Sequence, residues 1–501
     1  MSILSLQIFF PMLCGALVLF LPKINNKTLW AIALLVQFIS FLMGLFLCMH
    51  FDVLLPTIFQ WEERFLWVGS YGLFYHIGVD GVGLAMVLLT SLLSMIIVFL
   101  CKDRIEKGGK SLVFAIMLLQ TSLLGIFCAI DLFLFFIFWL LSLVAMFFVM
   151  VFDVQRNTMK EAKVFFVQGF ASSLLLGICF LSLLVMYKQE HGSLSTSLVD
   201  LAEMKIPITK QKWMFAALLV AFFVRMPLVP LHTWFLSLLS RSSMIGRVFL
   251  LALFITTGTF GLVRIALPLF TDAMLVFAPT VLTIAVINMV YGALLAWRQK
   301  SLINWLGYLT LSYTGFVVVG LFSFHEIAIT GAIFQWISYS MAIAILIFVS
   351  DATDQGPEEI HMSSYAGMAR LFPAYTFICV FSLFAILGLP GLSGFVGQLL
   401  IFIGTYQSGV YDLPAFLLFG MALTLLLTFV SIFNVLEIIF FGGNRVLQQH
   451  PMRINQMTKL IPMITLLLCI FYLGVQPSAL LSLLKVHRLE PKVSQIEAIH
   501  D

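Results

Sequence analysis

AFFVRMPLVPLHTW, Ala221 to Trp234, is the stretch on which the reading of this chain turns. It is apolar enough to lie in a bilayer, yet it holds an arginine and two prolines. Pro227 and Pro230 donate no backbone hydrogen bond, so in a helix the carbonyls of Phe223 and Met226 lose their partners. In lipid a freed carbonyl is tolerated only where protein or water takes it up. A charge at membrane depth inside a broken helix therefore marks a candidate functional site. A second interruption, LGLPGLSGFVGQ, runs from Leu387 to Gln398, where Pro390 frees the carbonyl of Ile386. Two broken apolar helices in corresponding halves point to a repeat-built transport scaffold.

The rest of the composition agrees. Of 501 residues, 62% are hydrophobic and 10% charged, against roughly 45–50% and about 25% in a soluble protein. This predicts a polytopic membrane protein. So little charge excludes a nucleic-acid surface, and the net charge of +4 is read as topology. Cys14, Cys48, Cys101, Cys128, Cys179, Cys379 and Cys469 are scattered through apolar runs without ligand spacing, so they read as small buried side chains. No GxGxxG, Walker loop, HExxH or Cys/His cluster occurs, and no cofactor or metal is expected. The first apolar segment lacks a basic leader and a small-residue cleavage site, so it reads as a retained span.

A spanning helix needs about 20 apolar residues. On that rule spans fall near 3–22, 29–49, 79–101, 111–129, 131–152, 162–187, 213–238, 243–268, 273–295, 301–323, 327–349, 374–405, 413–441 and 457–480. That makes fourteen, two of them broken. Lys and Arg in and beside the odd connections number 2, 4, 3, 2, 2, 1 and 3, or 17; the even connections hold 1, 0, 4, 1, 0 and 0, or 6. The asymmetry predicts cytoplasmic odd connections and both termini on the outer side. The longest connections, 50–78, 188–212 and 350–373, are too small for an enzymatic domain. Phe51–Tyr75, with Trp61, Trp67, Tyr71 and Tyr75, reads as an interfacial loop or lid, and DATDQGPEEI as a solvated cytoplasmic turn.

A proton pathway needs groups that titrate near neutral pH at depth. Asp80, Asp131, Lys163, Arg247, Arg264 and Glu437 fall near span ends, where snorkelling accounts for them. Arg225 is the one clear charge at depth, seven residues before His232.

VDGVGLAMVLLT, AIDLFLFFIFW, MPLVPLHTW, GLVRIALPLF and LPGLSGFVGQ together resemble motifs of the antiporter-like proton-translocating subunits of respiratory complex I, nearest the M type. The resemblance runs from about Tyr75 to Gly404. It implies an all-α fold of fourteen helices with two inverted five-helix repeats, each holding a broken helix. The implied segments are 1–110, an N-terminal three-helix part; 111–270 and 271–442, the repeats; and 443–501, the last helix and tail. It also implies L-type and N-type membrane neighbours in a bacterial inner membrane. Components of cation/proton antiporters and of inorganic-carbon uptake complexes are similar as well.

The chain departs from that pattern at the residues that matter most. Leu140 stands where the family has glutamate, Arg225 and Thr256 where it has lysines, Tyr313 and Tyr339 where it has relay histidines, and Gln398 where it has a carboxylate. Leu, Gln and Thr do not titrate, Tyr titrates near 10, and Arg stays protonated. The expected function is therefore an M-type subunit silent or impaired in proton translocation and mainly structural, with no redox centre of its own. A central arginine without its partner glutamate costs at least ~2.5–3.5 kcal/mol on insertion scales. Its donors are expected on freed helix carbonyls and tyrosine hydroxyls, with a partner subunit's carboxylate or a bound anion as the alternatives. His232 is expected to be a hydrogen-bonding structural residue of the break.

Overall fold

The computed structural model describes residues 3–484 apart from 23, 54, 56–58, 70–71, 154–157, 353–360, 409–413 and 442–458. Of the acidic connection only Asp351 and Ala352 are among them, and the tail after Leu484 lies outside them.

Eleven described helices are each long and apolar enough to cross a membrane. They are α1 (Ile3–Phe20), α2 (Asn26–Met49), α3 (Gly81–Leu100), α4 (Lys102–Cys128), α5 (Leu132–Phe152) and α6 (Met159–His191), followed, after a short α7 (Leu198–Ala202), by α10 (Met244–Leu269), α11 (Thr271–Trp297), α12 (Leu302–Leu321), α13 (Glu326–Ala352) and α16 (Pro414–Phe441). Two spans are interrupted. One is α8 (Ile208–Arg225) followed by α9 (Thr233–Arg241); the other is α14 (Pro373–Leu387) followed by α15 (Ser393–Gln407). The apolar α17 (Leu460–Val475) and the short α18 (Ser478–Leu483) complete the described chain. The spanning window of α13 is fully buried, so this helix forms the centre of the bundle, with α14, α15 and α10 packed on it. In α2, α6 and α16 most of the window faces outward with exposed Leu, Val and Phe, which suits lipid or another subunit.

The described fold is not purely helical. Gln60–Val68 (β1) and Leu73–Val79 (β2) pair antiparallel into a hairpin within the stretch read from sequence as an interfacial loop or lid. The alternation was hard to read because β1 is inside out. Its buried residue is the acid Glu63, while Phe65, Leu66 and Trp67 are exposed. Glu63 accepts from Ser5 Oγ at 2.8 Å and from the Ser5 amide at 3.2 Å, which ties the hairpin to α1.

Connections expected on one side of the membrane meet one another. Ile77 bridges to Ala129 and Asp131 to Ser197, joining the connections before α3, α5 and α8. At the opposite ends of the helices Ser301 bridges to His361, Lys110 Nζ donates to the Leu21 carbonyl, and Arg104 pairs with Asp351 and, at 3.9 Å, with Asp153. Of the charges at span ends for which snorkelling is expected, Lys163 and Glu437 are exposed, whereas three others are buried. Arg264 is buried in an ion pair with Asp80 at 2.6 Å, and Asp80 also caps α3 through the Gly83 amide at 2.8 Å. Asp131 is buried as the cap of α5, bonded to the Phe133 and Leu134 amides and to Thr196. Arg247 is buried against the Leu239 and Ser240 carbonyls, both at 3.3 Å. All three are spent inside the protein.

Candidate functional site

The first break opens where α8 ends. Pro227 blocks the next helical bond, but the turn widens by one residue so that the Leu228 amide reaches the Phe223 carbonyl at 3.1 Å. The Phe223 carbonyl, one of the two expected to be orphaned, is therefore satisfied by its own backbone. Trp234 Nε1 closes back on the Val224 carbonyl at 3.1 Å, and the Leu231 amide takes the Leu228 carbonyl. Pro230 follows a cis peptide bond and is exposed, while Pro227 is buried. From α11, Asn288 Oδ1 accepts from the Val229 amide at 3.0 Å, and its Nδ2 donates to the Leu311 carbonyl at 2.6 Å and to Thr314 at 3.1 Å. Asn288 thus pins the loop to two helices.

Arg225, the last residue of α8, is only 4% exposed. Its Nε donates to Thr257 Oγ1 at 3.0 Å; its Nη2 donates to Ser142 Oγ and, at 3.5 Å, to the Trp139 carbonyl. The guanidinium lies over the ring of Phe254 at 3.6 Å and of Trp139 at 4.2 Å from the centroids. This corrects the expectation from sequence. Hydroxyls of Ser and Thr, one α5 carbonyl and two aromatic faces hold the charge, in place of freed break carbonyls and tyrosines. On α5 the contacts come from Trp139 and Ser142, a turn apart on one face; the half-buried Leu140 is not among them. His232 also departs from expectation. Its ring meets Tyr291 edge-on at 5.6 Å, and among the described residues its buried Nδ1 has no hydrogen-bond partner.

Thr256 lies in α10 between two π-helical stretches, Phe249–Phe254 and Leu262–Ala266. Such widened turns gather at functional sites. Its hydroxyl is spent on the Leu253 carbonyl at 2.5 Å, and it is Thr257, one residue on, that faces Arg225.

The second break is closed by two positions where the resembled family titrates. Gly388 takes a left-handed φ of 81°, and α14 ends with the Gly388 and Leu389 amides on the Phe384 carbonyl at 3.0 and 3.1 Å. Pro390 sits exposed at the tip. The freed Ile386 carbonyl accepts from Gln398 Nε2 at 3.0 Å and from the Tyr313 hydroxyl, and Gln398 Nε2 lies 3.1 Å from that hydroxyl. Tyr313 stacks on Tyr339 at 4.6 Å, Tyr339 on Trp336 at 6.1 Å, and the Tyr339 hydroxyl meets Thr310 at 2.9 Å. Together these form a buried column of aromatic rings, one amide and one hydroxyl. Its groups hold a carbonyl in place; none titrates near neutral pH in its ordinary state.

No group of three or more His, Cys, Asp or Glu that could hold a metal occurs among the described residues. Trp139, Ser142, Phe254, Thr257 and Asn288 complete the site and were not singled out from sequence. They lie 23 to 86 positions from their partners; Trp139 closes the motif AIDLFLFFIFW, and the others carry no local signature apart from the proline-made need for donors around a break.

Residues 129–426 match the family described as NADH:quinone oxidoreductase/Mrp antiporter, TM, and the chain belongs to that family. It is 29% identical over 485 residues to NADH-quinone oxidoreductase subunit M of Rickettsia prowazekii, covering 96% of this chain and 97% of that one. It is 30% identical over 441 residues to NAD(P)H-quinone oxidoreductase chain 4 3 of a Picosynechococcus species, covering 87% and 79%. In fold it is similar to a chain of respiratory complex I from Thermus thermophilus with bound NADH, with a TM-score of 0.83 at 22% identity over 97% and 98% of the two chains. A chain of the Mrp complex from a Dietzia species gives 0.78 at 17% identity over the whole of both. The polytopic, antiporter-like helical fold expected from the motifs is thereby shown.

Proposed function

We propose that this chain is the M-type antiporter-like subunit of a complex-I-like NADH:quinone oxidoreductase membrane arm, retained as structure and silent in proton translocation. The relatives named NADH-quinone oxidoreductase subunit M over nearly their full length support the first half. The single observation that carries the second half is Gln398 and Tyr313 closing the Ile386 carbonyl. Where a pump would keep a carboxylate and a relay base free to exchange protons, both positions here are bound to one backbone oxygen.

The same reading counts fourteen spans: the eleven long helices, the two broken ones, and α17. It places the clustered ends that carry Arg104, Lys110 and Lys300 in the cytoplasm and both termini outside, on the positive-inside rule. The meeting of connections in two separate sets supports that alternation. Exposed apolar faces on α2, α6 and α16 are where L-type and N-type neighbours or lipid would pack. Purifying the native assembly and identifying its subunits tests the assignment. Co-purifying NADH- and quinone-reactive subunits are expected; a soluble zinc protein or only antiporter subunits would instead favour an inorganic-carbon uptake or Mrp-type complex, the reading that the Dietzia likeness supports.

A further inference from the structure

A guanidinium has five N–H donors in one plane, and at Arg225 the protein uses one edge of that plane. Nε is on Thr257, and Nη2 is on Ser142 and the Trp139 carbonyl. The rings of Phe254 and Trp139 lie 3.6 and 4.2 Å from the guanidinium carbon. The two N–H groups of Nη1 have no acceptor among the described residues. The surrounding hydroxyls cannot rotate to help, because Ser142 donates to the Trp139 carbonyl at 2.7 Å and Thr257 to the Phe254 carbonyl at 2.7 Å.

The charge is open as well as the donors. Among the described residues no carboxylate pairs with Arg225, whereas buried Arg264 has Asp80 and Arg104 has Asp351 and Asp153. The C-terminus of α8 supplies roughly half an elementary negative charge, which leaves a net positive centre inside the bundle. A buried charge needs a counter-charge and in-plane acceptors. Arg225 keeps 4% of its surface accessible, and the two aromatic rings crowd the guanidinium carbon, leaving the Nη1 end for an in-plane acceptor. A small spherical anion fits that demand, for it can lie in the guanidinium plane on one N–H of Nη1 and needs no further shape.

We propose that Arg225 holds a monovalent inorganic anion of the halide class at the first break, through its Nη1 edge. The site does not depend on which complex the chain belongs to. Its function is to neutralise the arginine and keep α5, α8 and α10 together at the break, in the place of a protein carboxylate.

The test uses the purified full chain in detergent, titrated with sodium bromide against sodium gluconate at constant ionic strength. The expected result is a saturable rise in melting temperature of at least about 2 °C with bromide. Arg225→Met should melt with no bromide dependence. Should that variant not fold, Ser142→Asp decides: its carboxylate supplies the counter-ion beside Nη2, so the protein should fold and lose the bromide response. A wild-type chain indifferent to bromide would overturn the site, and a carboxylate of a neighbouring subunit would then be the partner. A Ser142→Asp variant that responds like the wild type would overturn it too.

Discussion

Tyr313 and Gln398 share one acceptor, and that sharing makes a sharp prediction at the scale of single residues. Tyr313→Phe leaves the Ile386 carbonyl with Gln398, and Gln398→Leu leaves it with Tyr313, so each should cost only about 1 kcal/mol. The double variant orphans a buried carbonyl and should cost about 1–2 kcal/mol more than the two losses summed. Thermal unfolding of the four proteins measures the cycle, and strict additivity would show that the carbonyl has another partner. Gly388 is fixed by the same amide. An added Cβ there would collide with the Gln398 side chain, and φ of 81° strains any L-residue. Gly388→Ala should therefore lose roughly 2 kcal/mol or more, read as a lower melting temperature. Much of this was legible: Pro390 named the orphaned Ile386 carbonyl, the motif LPGLSGFVGQ ended on Gln398, and the family resemblance placed Tyr313 at a relay position. The hydrogen bonds that unite the three were not, because they cross 73 and 12 positions of sequence. Arg225 was legible as a buried charge, but its partners on α5, 83 and 86 positions away, were not.

At the scale of elements, the two breaks are held differently. The first is pinned from outside by Asn288, which joins the Val229 amide to α12. Asn288→Leu should loosen residues 226–232, raising their hydrogen exchange by about tenfold or more for a loss of ~1.4 kcal/mol; unchanged exchange would show the loop to be self-supporting. Both interruptions could be read from proline placement. The π-helical turns of α10 could not, since nothing in FLLALF or LVRIA marks an extra residue per turn. The hairpin hid for a physical reason already visible in β1: an acid points in and aromatics point out. Within it Tyr75 is pushed up to about 12, chiefly by burial and also by Glu63, against the bond from Ser5. A folded pKa raised above the unfolded value near 10 means that its contribution is complete below pH 10 and is lost as the pH rises towards 12. Tyr75→Phe should remove that alkaline loss, which denaturation followed between pH 9 and 12 would reveal.

At the scale of the whole molecule, composition and two proline-marked breaks were enough for the fold class, because lipid leaves a chain this apolar few ways to satisfy its backbone. Charge asymmetry supplied the proposed orientation, with the odd connections in the cytoplasm. The functional question turns on whether the substituted column still moves protons. Thr256 spends its hydroxyl on its own helix, and Tyr339 spends its hydroxyl on Thr310; neither links to a titrating neighbour in the described site. The most direct measurement is proton uptake per electron transferred by the native complex in sealed vesicles, carrying Thr256→Val together with Tyr339→Phe in this subunit. The account predicts uptake within about twofold of the unaltered complex. A loss of roughly tenfold, equal to ~1.4 kcal/mol in a barrier, in a complex still fully assembled on a native gel would contradict it.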